Sequence, residues 1–190
     1  MKLTQEQRKN LQDACGAAET RTSAHLAVVT VPISDRYALY PLVYGGSATM
    51  LVFAGLALFW HALPLREAFF ITAVIAGGVT FLLDWLPARL MAVPRHAKNW
   101  ECWELAHRSF ASRILAQTER KPGIVLFVSL GERYVEVVTD RDVDLRVPQS
   151  TWDAIIAEFL GHAKQGRVAA ALLVAVESCT KVLEQHYPAK

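Results

Sequence analysis

The 190-residue chain holds three cysteines, Cys15, Cys102 and Cys179, far apart and in no CxxC pair. That scarcity fits reduced thiols on the cytosolic side of a membrane better than a disulfide framework or a zinc site. No Gly-rich phosphate loop or nucleotide motif is present. Nucleophilic catalysis has little to build on: Ser129 lies inside an apolar run without a GxSxG elbow. Cys102 and His107 stand five residues apart on a predicted helix, about 140° round from each other, so they share no face. His96, His107, His162 and His186 show no metal-ligand spacing. Lysine and arginine are mixed evenly with the acids, for a formal net charge of +2, which argues against a nucleic-acid surface.

Charge itself is missing from one long region. LVYGGSATMLVFAGLALFWHAL, from Leu42 to Leu63, contains no Asp, Glu, Lys or Arg, and AFFITAVIAGGVTFLLDWLPARL, from Ala68 to Leu90, is apolar as far as Leu83. A bilayer core of about 30 Å is spanned by about 20 helical residues, so each segment is long enough and the pair predicts a transmembrane hairpin with a very short turn. Trp60 and Trp85 fall near span ends, where aromatic belts form. The turn carries Arg66 beside Glu67, whereas Arg36, Arg89, Arg95 and Lys98 lie on the outer flanks. By the positive-inside rule both termini face the cytoplasm. The opening MKLTQEQRKNLQDACGAAETRT is polar and has no apolar signal-peptide core, so the first span is the expected insertion signal. Asp84 is the one acid in the stretch, and its place near the end of the span points to pairing with Arg89 or water rather than to an ion relay. Ala73 with Gly77, and Gly45, Gly46 and Gly55, would let the two helices, or a second copy, approach closely.

The flanks total roughly 135 residues, a usual size for one domain, and neither looks complete alone. The division read from the sequence is 1–40 and 93–190 as two parts of one domain, with 41–92 as the hairpin. Thr4 with Gln7 fits a capping box opening a helix to about Thr20, with Leu11, Cys15 and Ala18 on one face. HLAVVTVP, from His25 to Pro32, reads as a strand. A helix is expected over about Trp100 to Thr118, with Trp103, Ala106, Phe110 and Ile114 on one face. GIVLFVSL, from Gly123 to Leu130, is the continuous apolar run of a strand buried on both faces; a turn at Gly131-Glu132 then leads into the strand RYVEVVTD. Ser150 is the expected cap of the next helix, and a final helix follows Gly166 and runs to Pro188. The order α, β, hairpin, α, β, β, α, α is that of an α/β domain with helices on the faces of its sheet.

These residues resemble a known family. The segment from Gly123 to Pro188 is similar to the C-terminal half of the TPM domain, with its "GvLlfvSl" strand, a second strand rich in Val, Glu and Ile, and a helix carrying Trp-x-x-Ile. LTQEQRKNLQDACGAAETRTSAHLAVVTVP resembles the family's opening segment, and the layout matches bacterial membrane proteins with a hairpin inserted after the first strand. The resemblance implies a TPM-like α/β sandwich with a central sheet flanked by helices, interrupted by a two-helix transmembrane hairpin, in a bacterial inner membrane. It implies function only broadly. The family includes a thylakoid photosystem II repair factor and a regulator of acetylcholine-receptor channels, and acid phosphatase activity and calcium binding are attributed to some members. Where many members carry G-x-G-L-E after the second strand, this chain has Thr139-Asp140-Arg141-Asp142-Val143-Asp144.

Asp140, Asp142 and Asp144 form the densest acidic group, and oxygen ligands converging from a loop suit a hard cation such as calcium or magnesium. The group is not an EF-hand, since Leu145 and Thr151 stand where that loop requires Gly and Glu. The competing reading is a solvated loop whose acids pair with Arg141 and Arg146. Two functions follow: a membrane-anchored module that binds a protein partner in assembly or quality control of a membrane complex, or a metal-assisted phosphatase using residues 140–144. The expected partners are the lipid bilayer and a protein, not nucleic acid, with homo-oligomerisation left open.

Overall fold

The computed structural model describes residues 4–59, 64–85, 90–117 and 121–189. The chain divides into two compact units, one formed by residues 1–34 and 99–190 and the other by residues 35–98.

The first unit is built on a three-stranded sheet in the order β1–β2–β3, with β1 His25–Val31, β2 Gly123–Ser129 and β3 Tyr134–Thr139. β2 lies in the middle, parallel to β1 and antiparallel to β3, pairing Val31 with Ser129 and Ser129 with Tyr134. Every residue of β2 is buried, as its unbroken apolar run requires. Because side chains alternate across a strand, Ile124, Leu126 and Val128 face one layer of helices and Val125 and Phe127 the other.

On the first face lie α1, Gln5–Arg21, α6, Gln149–Ala163, and α7, Val168–His186. The expected capping box opens α1: the Gln7 amide donates to Thr4 Oγ1 at 3.3 Å and the Thr4 amide to Gln7 Oε1 at 3.0 Å. α7 buries Ala171, Leu172, Ala175, Val176, Cys179 and Leu183 on this side. Its end is tied to that of α1, where Thr22 Oγ1 donates to the Tyr187 carbonyl at 2.6 Å and Arg21 pairs with Glu177 and Glu184.

On the second face lies α4, Arg95–Phe110, continued by a π-helical turn, Ala111–Leu115. The buried stripe is Cys102, Ala106, Phe110 and Ile114. Trp103, expected in that stripe, is instead exposed and stacks on Trp100. Repetition every four residues from Cys102 puts Trp103 a further 100° round the helix, off the sheet. The π turn passes so close to β2 that a Cβ on Gly123 would stand 2.8 Å from Ile114 Cγ2 and 3.1 Å from the His25 carbonyl. Only glycine fits there.

Two local expectations change. Ser150 does not cap α6: the helix opens at Gln149 behind Pro148, whose carbonyl accepts from the Thr151 amide at 3.0 Å, placing Ser150 in the first turn. Residues 140–144 are not a loop, because Asp140 caps a one-turn helix, α5, Arg141–Asp144, whose Val143 is buried.

The second unit contains α2, Leu39–Phe59, and α3, Leu65–Asp84, both long and apolar enough to cross a membrane. Gly45 touches α3 directly, since a Cβ there would overlap Thr80 Oγ1, whereas Gly46, Gly55 and Gly77 have open space. Of the glycines singled out in the sequence, Gly45 is the one at a close helix contact. The expected partner of Asp84, Arg89, lies outside the described residues, as does Trp60.

Candidate functional site

The carboxyl ends of parallel strands are where open α/β sheets usually bind ligands. β1 and β2 end together here, and the chain past them is held by two backbone bonds, Leu130 N to the Val31 carbonyl at 3.0 Å and Gly131 N to the Pro32 carbonyl at 2.8 Å. This clamp brings Ser34 and Glu132, 98 residues apart in sequence, into contact. Glu132 Oε1 accepts from the Ser34 amide at 2.9 Å and from Ser34 Oγ at 2.8 Å, and its Oε2 accepts from Ser129 Oγ. Cys102 Sγ lies 3.1 Å from Ser34 Oγ. Either atom can supply the hydrogen of that contact.

Cys102 is fully buried, and burial pushes its pKa up to about 11, with Ser34 as hydrogen-bond partner acting against the shift and the Glu132 carboxylate adding to it. The thiol is therefore neutral near pH 7, and the thiolate is the nucleophilic form. Beside it on the same face, Tyr134 OH donates to Glu136 Oε2 at 2.9 Å. Burial raises the pKa of both groups; Glu136 adds to the rise of Tyr134, while the hydrogen bond from Tyr134 and the nearby His107 oppose that of Glu136. His107 Nδ1 is 3.0 Å from the Trp103 carbonyl, one turn back on α4. Cys102 and His107 share the helix without facing each other, as their spacing indicated. The cluster is a set of polar groups that satisfy one another. Its chemistry is that of a cross-link between strand ends, with a carboxylate accepting three hydrogen bonds.

The acids at 140–144 occupy α5, on the opposite side of the sheet. Asp140 Oδ1 accepts from the Arg141 amide at 2.6 Å, Asp144 Oδ1 accepts from Thr139 Oγ1, and Asp142 is exposed, its carbonyl accepting from Tyr187 OH at 2.7 Å. Arg146 lies over the Tyr187 ring at 4.9 Å rather than on a carboxylate. Among the described residues, no group of three or more His, Cys, Asp or Glu side chains stands close enough to hold a metal ion. Helical backbone turns successive residues by 100°, so Asp142 and Asp144, two apart, point to nearly opposite sides of α5. The sequence reading missed Ser34 and Glu132 as partners. Their only local signal is Ser129-x-x-Glu132 across the turn, and nothing in it names Ser34.

The comparisons agree with this architecture. Residues 89–182 match the model of the TPM domain. Among solved structures, the chain is similar to the NMR structure of the BA42 protein from the psychrophilic bacterium Bizionia argentinensis, with a TM-score of 0.59 and 15% identity, covering 100% of this chain and 87% of that one. At that identity the likeness is one of fold. No curated protein matches the chain. The strand pairing, the helical layers and the family match meet on one conclusion: the chain carries a TPM domain over residues 89–182, in a fold it shares with the BA42 protein.

Proposed function

We propose that this protein is a membrane-anchored binding module, in which α2 and α3 hold the TPM domain at a bacterial inner membrane and the domain engages a protein component of a membrane complex during its assembly or quality control. The observation that carries the reading is the exposure of the hairpin: of the most apolar 18-residue windows in α2 and α3, only 6% and 11% of residues are buried. Apolar surface on that scale requires an apolar surrounding. The polar cluster supports binding over catalysis, since its thiol is neutral and its central carboxylate is already engaged. By the positive-inside rule, the excess of cations on the outer flanks of the hairpin supports a cytoplasmic position for both termini.

Cross-linking in native membranes, followed by purification in mild detergent, tests the reading. A defined protein carried with the chain, and lost in a form whose surface is altered, is the expected result; recovery of the chain alone would overturn the binding role. The same preparation settles the competing chemistry: phosphate-ester hydrolysis abolished by Asp142→Asn would replace this reading with a phosphatase. For orientation, a cysteine placed at Leu65 should react with an impermeant reagent on intact cells while one near Lys190 stays unlabelled.

A further inference from the structure

Helix α4 presents two unlike faces. Cys102, Ala106 and Phe110 are buried in the layer beneath the sheet. Flanking that stripe, round the side of the helix, Trp100 and Trp103 are 56% and 41% exposed. Their rings stack at 5.3 Å, and Trp103 rests on the His107 ring at 4.2 Å. At 100° per residue the three side chains fall within about 60° of one another. Scattered single aromatics on a surface need no explanation, but two indoles ordered against each other on one face form a continuous apolar patch with a polar N–H on each ring.

We propose that this patch is an interfacial anchor: the indoles of Trp100 and Trp103 sit in the headgroup layer of the bilayer that holds α2 and α3. The inference rests on the reading of those helices as a membrane hairpin. Chain continuity is the first support. α3 ends at Asp84 and α4 begins at Arg95, so the connecting stretch reaches at most about 40 Å even when fully extended. α4 is therefore tethered to the membrane surface. The second support is chemistry, because indoles combine an apolar body with a hydrogen-bond donor and concentrate at the headgroup level. Charge is the third. Arg95, Lys98, Arg108 and Arg113 outnumber Glu101 and Glu104 along α4 and its π-helical extension, an excess that favours an anionic leaflet.

The test uses the full chain in nanodiscs of phosphatidylcholine and phosphatidylglycerol. A Trp60→Phe, Trp85→Phe form retains Trp100 and Trp103 beside the buried Trp152. Its emission should be quenched more by lipids brominated just beneath the headgroup than by lipids brominated at the chain ends, and adding Trp100→Phe and Trp103→Phe should remove that loss. Ready quenching by aqueous iodide without any by bromolipid would place the rings in water and overturn the proposal. Protection from both quenchers would overturn it in favour of a protein partner or a second copy. A Trp100→Phe, Trp103→Phe form that keeps Trp60 and Trp85 separates the two levels. Bromolipid quenching there, with none in the first form, retains the hairpin and rejects the anchor, and silence in both forms rejects the hairpin as well.

Discussion

The α/β unit and the hairpin are both rich in large apolar side chains and dispose of them in opposite ways. In β2 the apolar run is enclosed by helices on both faces, and Phe127 has no exposed surface. In α2 and α3, Met50, Phe59 and Phe81 are 77%, 88% and 82% exposed. Hydrophobic sequence alone therefore does not mark a core. What separates the two regions is the length of the apolar run and the period of its surroundings: seven residues bracketed by turn signals in β2, and 21 and 20 residues of helix in the hairpin. The short run needs partners from the chain, and the long ones are of a length and apolar character that lipid can match.

Substitutions of equal chemistry on the two sides should break the comparison. Phe127→Ala removes a fully buried ring and should destabilise the α/β unit by about 3–5 kcal/mol in denaturant unfolding. Phe81→Ala, on the exposed surface of α3, should leave that transition in place. Equal losses would mean that the hairpin is part of the folded core.

The cluster at the strand ends gives the next largest effect. Glu132→Ala leaves the Ser34 amide, Ser34 Oγ and Ser129 Oγ without their shared acceptor, and an unsatisfied buried donor costs about 1–3 kcal/mol. Glu132→Gln should recover part of the loss, since its amide oxygen still accepts. A stability equal to that of the parent in both variants would show that the cluster holds nothing together.

Alkaline pH probes the same place. Burial raises Cys102 from its ordinary value of 9.0 to about 11. Folding therefore favours the protonated thiol, and that contribution is complete below pH 9 and lost as pH climbs from 9 towards 11. Unfolding free energy should fall over this window, and Cys102→Ala should flatten part of the fall relative to the parent. Cys15 is raised to about 11 as well, again chiefly by burial, so the variant removes a share of the slope and not all of it.

Smaller effects belong to the surface. Thr4→Ala deletes the capping box of α1 and should cost about 1 kcal/mol. Arg21→Met breaks the pairs with the exposed Glu177 and the half-buried Glu184, and should change stability by less than about 1 kcal/mol, less still at high salt.

Much of this architecture was legible in the sequence because several signals coincide locally. Thr4 and Gln7 announce the start of α1, the β-branched run before Pro32 announces β1, and the Lys121-Pro-Gly123 break precedes β2. Features that depend on contacts between distant residues were not legible. The Ser34–Glu132 pair exists because β1 and β2 are parallel and end together, a fact of topology that no local spacing encodes. On the face of α4 that meets the sheet, Ala106, Phe110 and Ile114 lie where the sequence predicts, and Cys102 takes the place expected of Trp103, because both are apolar and only packing decides between them. The acids at 140–144 read as a loop since a one-turn helix capped by Asp140 is too short to show a period. Their alternation suited converging ligands, and helical geometry turns Asp142 away from Asp144.

The central claim is that α2 and α3 anchor the TPM domain in a bilayer, and alkaline carbonate extraction of membranes bearing the full chain tests it most directly. The account predicts that the protein stays with the membrane pellet and is released only by detergent. Its recovery in the carbonate supernatant, folded and without lipid, would contradict the account and require α2 and α3 to be covered by protein instead.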